Sequence, residues 1–446
     1  MAREFEVGLL GIILLEPGGY AQKSGSRSSG VSPMEIVMPE SQSHHNILIA
    51  RLREHLQAER YGRCASRNYP SDARRFLRYL ARRGQSIESV SPADIDHYVN
   101  GLRRRRDRRA LPAVWQRAHR AAIQMLLRLI HGSWPPEIAP TGADEIAEQE
   151  LVNGYDAWMV ELRGLSSSTR EHARDETRLL LRWLRAHRTS VALLSVADLD
   201  AYIAARGTSM RRTSKVTMIS TLRGVLRYLY GRGLMPVDLA GAIEGPPIYA
   251  LEGIPSMIRR EDIERALDAA RRDHSPLGRR DYAIMMLLST YGLRAGEIAG
   301  LCLSDIDWRH ERLRIRHFKT GACSELPLLR GPADALFDYL KHARPETKVR
   351  EVFLRALAPY RPLCRGGAIY ATVGRRLQAV DVSLTGKRGA HVFRHSRAAS
   401  LLSGGVSIKV IGDVLGHRSE QSTAVYLKLA TADLRAVALD LPEVSR

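Results

Sequence analysis

The sequence predicts a mainly α-helical protein with a small antiparallel β-sheet, built as two helical modules followed by a mixed α/β domain. Three observations carry this expectation. Apolar residues recur at helical spacing from about Leu48 onward, as in Phe76, Leu77 and Leu80. Two Pro-bearing stretches interrupt that pattern, PEIAPTGADEIAEQ at 136–149 and GAIEGPPIYALEGIP at 241–255. One segment alternates instead: Leu313, Ile315 and His317 against Arg314, Arg316 and Phe318, followed by the turn KTGAC and the run ELPLL. That is a β-hairpin signal inside a helical region. A chain of 446 residues suggests about three domains at roughly 150 residues each, and it needs no disulfide or metal staples.

Taken in order, residues 1–47 mix Gly, Ser and Pro with little periodicity and read as a disordered tail. Residues 48–135 form the first helical module, 136–149 a linker, 150–246 the second module and 256–446 the third domain. The two modules read as duplicates. LRYL (77–80) matches LRWL (181–184), and SPADIDHYV (91–99) matches SVADLDAYI (195–203), both at an offset of 104. Further on, LRLIHG (127–132) matches LRYLYG (226–231) at an offset of 99, so the first copy carries an insertion of five residues near RRRRDRR (103–109). Ser91 and Ser195 stand where helix N-caps are expected.

Charge narrows the partner. Lys and Arg number 68 against 48 Asp and Glu, a net +20 with a pI near 10.2, so a polyanion, nucleic acid foremost, is the expected partner. The excess is uneven. Residues 48–135 hold 19 Lys/Arg and 7 Asp/Glu, a net +12, whereas 150–246 hold 14 and 10, a net +4. Candidate DNA contacts are Arg103, Arg104, Arg105, Arg106, Arg108 and Arg109 in the insertion, and Arg211, Arg212 and Lys215 in the second module. Aromatics make up only 6%, which argues against a base-stacking surface.

Several classes are disfavoured. Cys64, Cys302, Cys323 and Cys364 form no C-x-x-C, so neither a zinc ribbon nor a disulfide framework is expected. No apolar run reaches the ~18 residues of a membrane span, and Val7–Leu15 follows Glu4 and Glu6 where a signal peptide would be basic. A cytoplasmic, nucleoid-associated location is the expectation. His391 and His395 have zinc-ligand spacing, but Val392 stands where H-E-x-x-H needs glutamate and no third ligand is evident. RGG (365–367) lies outside any strand–loop–helix phosphate pattern. No metal and no cofactor are expected.

Four segments of the third domain carry chemistry: TYGLRAGEIAGLCLSDID (290–307), HFKTG (317–321), HVFRHSRAASLL (391–402) and LGHRSEQSTAVY (415–426). Arg294 and Arg394 are fixed cations, Lys319 sits at the hairpin turn, His391 and His417 are imidazoles, and Tyr426 offers a hydroxyl. Guanidinium forks match the non-bridging oxygens of a phosphodiester and stabilise the charge that grows during its substitution. An imidazole that takes the phenolic proton makes tyrosine a usable nucleophile. A lysine of depressed pKa can protonate the leaving oxygen, and no carboxylate cluster suggests a two-metal site.

These segments resemble the tyrosine recombinase (phage integrase) family over about 190 residues, 256–446. GLRAGEIAGL is similar to its first arginine box, HVFRH to its H-x-x-R box, and LGH followed nine residues later by Tyr to its last box. The resemblance implies SAM-like core-binding modules ahead of an α/β integrase-type catalytic domain. It assigns Arg294, Lys319, His391, Arg394, His417 and Tyr426 as the catalytic set, with Lys387 the rival to Lys319 and Glu297 a support for Arg294. It further implies a 3′-phosphotyrosyl intermediate, a homo-tetramer on two DNA sites, possible accessory DNA-bending or partner recombinase proteins, and a place in a mobile element. A short amphipathic segment after the tyrosine (Leu434, Val437, Leu441) is expected to mediate self-association. The alternatives are a type IB topoisomerase-like enzyme and a non-catalytic DNA-binding relative.

Overall fold

The structure, a computed structural model, describes residues 40–102, 109–135, 142–247, 256–317, 321–363, 366–383, 389–416, 423 and 425–426. It is mainly helical, with a three-stranded antiparallel sheet. The described residues gather into three large, separate apolar cores and a small fourth cluster of Ala398, Ile411, Leu415 and Tyr426.

The first core is built by α1 (Glu40–Ala58), α2 (Arg63–Arg82), α3 (Pro92–Gly101) and α4 (Ala113–His131). The second is built by α5 (Ala143–Glu161), α6 (Ser167–Ala186), α7 (Val196–Gly207) and α8 (Arg212–Gly231). The two sets repeat one another. α2 and α6 each run for 20 residues. A 3-10 turn follows each, at Ile87–Ser89 and Val191–Leu193, at the same offset of 104. Both third helices then open on a reciprocal cap. The Ser91 hydroxyl accepts from the Asp94 amide while the Asp94 carboxylate accepts from the Ser91 amide, and Ser195 and Asp198 do the same. Each pair satisfies two otherwise orphaned donors at a helix start. Equivalent inward residues fill the two cores: Leu77, Leu80, Ile95 and Tyr98 in the first, Leu181, Leu184, Leu199 and Tyr202 in the second.

Two boundaries differ from the sequence expectation. α1 begins at Glu40, inside the expected tail, and α5 begins at Ala143, inside the expected linker. In the second case Asp144 and Glu145 occupy the first turn, where negative charge complements the helix dipole. An acidic stretch that read as solvated linker is a helix start.

The third core centres on α10 (Pro276–Tyr291), whose Ala283, Ile284, Met285, Leu287 and Leu288 are fully buried. Around it pack α9 (Arg260–Arg272), α12 (Arg330–His342), α13 (Gly367–Gln378) and α14 (Ala390–Ser403). Asp281 on α10 is fully buried and is satisfied by its neighbour Arg280 (2.9 Å) and by Arg375 (2.7 Å) and Arg376 (3.0 Å), the last two of which lock α13 onto α10. The short α11 (Ala295–Ala299) leads to the sheet, β1 (Ile306–Asp307), β2 (Arg312–His317) and β3 (Ala322–Pro327), in the order β1-β2-β3. β2 alternates as the sequence predicts, with Leu313, Ile315 and His317 inward. β3 starts at Ala322, three residues before the apolar run, because Ala322 pairs with His317 across the turn. α15 (Ile408–Leu415) completes the described fold.

Candidate active site

Five pieces of chain converge beyond the end of α10: the α10–α11 turn, the end of β2, α14, the end of α15, and Tyr426. Gly292 ends α10 at φ +65°, and a Cβ there would meet Leu415 at 3.0 Å and the Arg394 backbone at 3.5 Å. The left-handed turn and the close approach both call for glycine. This turn delivers Arg294 to the start of α11.

Arg294 is held by Glu297. The carboxylate accepts from the Arg294 backbone amide (2.8 Å) and from its Nη1 (2.7 Å). The Arg294 Nη2 donates to the Gly416 carbonyl (3.2 Å). Glu297 also faces His317 Nδ1 at 2.7 Å, and His317 Nε2 faces the Ser324 hydroxyl at 2.9 Å. A carboxylate only accepts, so Nδ1 carries the proton. Burial works to raise the Glu297 carboxyl, but the hydrogen bonds from His317 and Arg294 outweigh it and hold the group below the usual carboxylate range. The charged form is therefore the one that orients Arg294.

Arg394 lies on α14 and is 3% exposed. Its Nη1 donates to the Gly292 carbonyl (3.0 Å) and its Nη2 to the Leu415 carbonyl. Burial, then the neighbouring Arg294 charge, lowers its pKa to about 10, against support from Glu297 and Tyr426. It stays charged at neutral pH. Glu297 balances one of the two guanidiniums, so the pair keeps a net positive charge that an oxyanion would relieve.

Tyr426 is 3% exposed and packs with Ala398, Ile411 and Leu415. Its hydroxyl stands 3.1 Å from His395 Nδ1. Burial pushes the phenol pKa up, while Arg394, in hydrogen-bonding contact, and Arg294 pull it down. The arrangement puts one nucleophilic oxygen, one proton acceptor and two cations in one place. That set suits substitution at a phosphodiester.

Of the six predicted catalytic residues, the structure thus brings Arg294, Arg394 and Tyr426 together. His391 lies exposed in the first turn of α14, with its ring 6.3 Å from that of His395. Lys319 and His417 lie outside the described residues, as do Lys387, Arg103, Arg104, Arg105, Arg106 and Arg108, and Leu434, Val437 and Leu441. Arg109 is exposed just ahead of α4. Arg211 and Arg212 are exposed at the start of α8, and the half-buried Lys215 lays its stem against Gly207. These three belong to the second unit rather than to the Tyr426 cluster.

Two participants escaped the sequence reading. His395 was weighed there only as a zinc ligand, yet it is the imidazole on the Tyr426 hydroxyl. His317 was read only as a strand residue, yet it is 2% exposed and braces Glu297. A histidine at an inward strand position needs polar partners, and that was the available signal.

The family model described as "Phage integrase family" matches residues 256–433. A Sinorhizobium fredii protein, y4gC, described as an integrase/recombinase, is 52% identical over 189 residues, 42% of this chain and 97% of that protein. A second from the same organism, y4rA, of the same description, is 34% identical over 400 residues, 89% of this chain and 94% of its own. Among solved structures, the XerH site-specific recombinase in a post-cleavage complex with a palindromic difH substrate matches with a TM-score of 0.52. Its identity is 15%, over 68% of this chain and 97% of that one. This last is a likeness of fold.

Proposed function

Because this chain belongs to the phage integrase family of tyrosine recombinases, enzymes that break and rejoin DNA, we propose that it is a site-specific recombinase acting through a 3′-phosphotyrosyl intermediate at Tyr426. The observation that carries this reading is the Tyr426 hydroxyl set against His395 and Arg394.

Chemistry follows from that geometry. The scissile phosphate enters between Arg294 and Arg394, whose remaining N–H groups bind its non-bridging oxygens. The Tyr426 oxygen attacks phosphorus as its proton passes to His395. The bond from phosphorus to the 5′ oxygen breaks, and that oxygen takes a proton, for which Lys319 is the proposed donor. One phosphate ester replaces another, so the bond energy is retained and no nucleoside triphosphate is consumed. A 5′-hydroxyl from a second duplex reverses the step. His391 and His417 are proposed to hold the phosphate, and Arg211, Arg212 and Lys215 to hold the flanking duplex. A homo-tetramer on two sites, at the ends of a mobile element, completes the reading.

The experiment is covalent trapping on a nicked duplex that carries the recombination site. Tyr426→Phe should abolish the protein–DNA adduct while duplex binding persists. An adduct that survives in the Phe variant moves the nucleophile elsewhere. Relaxation of supercoiled DNA by monomers without strand exchange would favour a topoisomerase instead.

A further inference from the structure

The duplicated architecture allows one face to be compared with its own copy. On α2, Arg67, Arg74, Arg75, Arg78 and Arg82 fall within a single stripe at helical spacing. Four of them are exposed and Arg74 is half-buried. The stripe from Arg67 to Arg82 is roughly 22 Å long at 1.5 Å per residue. Among the described residues none of the five is paired with a carboxylate. Arg67 turns to Asn68 (3.3 Å) and Arg82 to the Arg78 carbonyl (3.3 Å). Asp72 is the one acid of this helix, and it faces inward to His119 at 3.2 Å.

The five equivalent positions on α6, 104 residues later, sum to +1, and Asp175 in place of Ser71 brings that face to neutrality. Glu171 stands for Arg67, Asp175 for Ser71, Leu179 for Arg75 and Ala186 for Arg82; only Arg178 and Arg182 remain basic. There Arg178 is also paired, with Asp175 (3.3 Å). One fold therefore carries this face in two electrostatic forms. The neutral form shows that the fold does not require the five arginines. In the basic form no ion pair among the described residues relieves their mutual repulsion. Beneath them the Tyr98 hydroxyl is buried with no hydrogen-bond partner among the described residues.

We propose that the α2 face of the first helical unit is a second duplex-DNA-binding surface, on which Arg67, Arg74, Arg75, Arg78 and Arg82 grip the phosphate backbone beyond the segment held by the second unit and the Tyr426 domain. The proposal rests on the recombinase reading only in its choice of polyanion. Duplex DNA presents a charge about every 1.7 Å of its axis, about thirteen along a 22 Å stripe, enough to partner all five arginines, and guanidinium forks fit phosphate oxygens. Such contacts are blind to base sequence and displace counterions.

The test uses the full-length chain and a long linear duplex of arbitrary sequence, with affinity measured against salt. The variant Arg74→Gln/Arg75→Gln/Arg78→Gln/Arg82→Gln should lose affinity and flatten the slope of log K against log salt by about 0.9 for each contact removed, up to roughly 3.6 in all. The control Arg178→Gln/Arg182→Gln, on the copied face, should flatten it much less. Should the fourfold variant fold poorly, Arg78→Glu alone reports the same face and should weaken binding in the same direction. An unchanged slope in a folded variant, or an equal loss in the control, overturns the proposal. A variant that binds DNA normally but no longer self-associates assigns the face to protein contact and overturns it as well. Wild-type protein that binds no duplex would bring down the recombinase reading with it, whereas normal wild-type binding with an unaltered variant slope defeats only this inference.

Discussion

At Tyr426 two influences act on one hydroxyl. Burial favours the neutral phenol, and the Arg394 and Arg294 charges favour the phenolate, with burial the stronger. The phenol is therefore protonated near neutrality, and attack requires a base. His395 Nδ1 at 3.1 Å is placed to be that base. Loss of a positioned general base costs about 10²–10⁴ in rate. His395→Gln should therefore slow adduct formation by that order near neutral pH. It should also make the rate climb with pH into the alkaline range, because only the spontaneously ionised phenol would then react. The wild type should be flatter over the same range. A His395→Gln profile parallel to the wild type would remove His395 from the proton path. That His395 is the imidazole in question was not legible in the sequence. His395 directly follows Arg394 in the chain, but whether its ring meets a tyrosine 31 residues later is decided by how α14 and the last described turn pack.

At the scale of elements, glycine at 416 joins three of them. It ends α15 at φ +63°, its carbonyl accepts from Arg294, and a Cβ on it would lie 2.5 Å from the His317 ring. Gly416→Ala would force both a left-handed alanine, about 1–2 kcal/mol, and a displacement of His317, which orients Glu297. The expected result is a lowered melting temperature and a loss of adduct formation larger than any loss of DNA binding. Unchanged activity would show that the His317–Glu297 brace is dispensable. The reciprocal caps give a second prediction. Ser91→Ala and Ser195→Ala should each destabilise their helical unit by about 1 kcal/mol, measured by denaturant unfolding of the full chain. A negligible change in either would mean the Asp partner alone satisfies the helix start. Those caps were legible, because Ser followed three residues later by Asp is a local pattern with a local cause. The start of α5 was not, because an acidic run serves a linker and a first helical turn equally well until packing chooses.

At the scale of the molecule, three separate cores imply that removing one leaves the others folded. Deletion of residues 1–141 should leave a protein that melts cooperatively and still forms the Tyr426 adduct on a short nicked site. Failure of the truncated chain to fold, judged by circular dichroism, would show that the first unit is structurally obligatory. The 34% identity to y4rA extends over 89% of this chain, so that match reaches into the first unit.

What the sequence determined by itself was whatever depends on neighbours in the chain. Helical periodicity, the alternation at 313–317, the repeated Ser-x-x-Asp caps and the offset between duplicates are all short-range, and the mainly helical fold with one small sheet follows from them. The family resemblance likewise rested on four contiguous boxes. The tertiary structure decided which groups meet across the chain: Arg294 with Gly416, His317 with Glu297, Arg394 with Gly292 and Leu415, His395 with Tyr426. It also left the five arginines of α2 without a carboxylate partner among the described residues, while Arg178 on α6 meets Asp175. A side chain's pKa, its proton partner and the sign of a surface depend on distances of a few ångströms between residues tens to hundreds of positions apart, and only packing sets those distances.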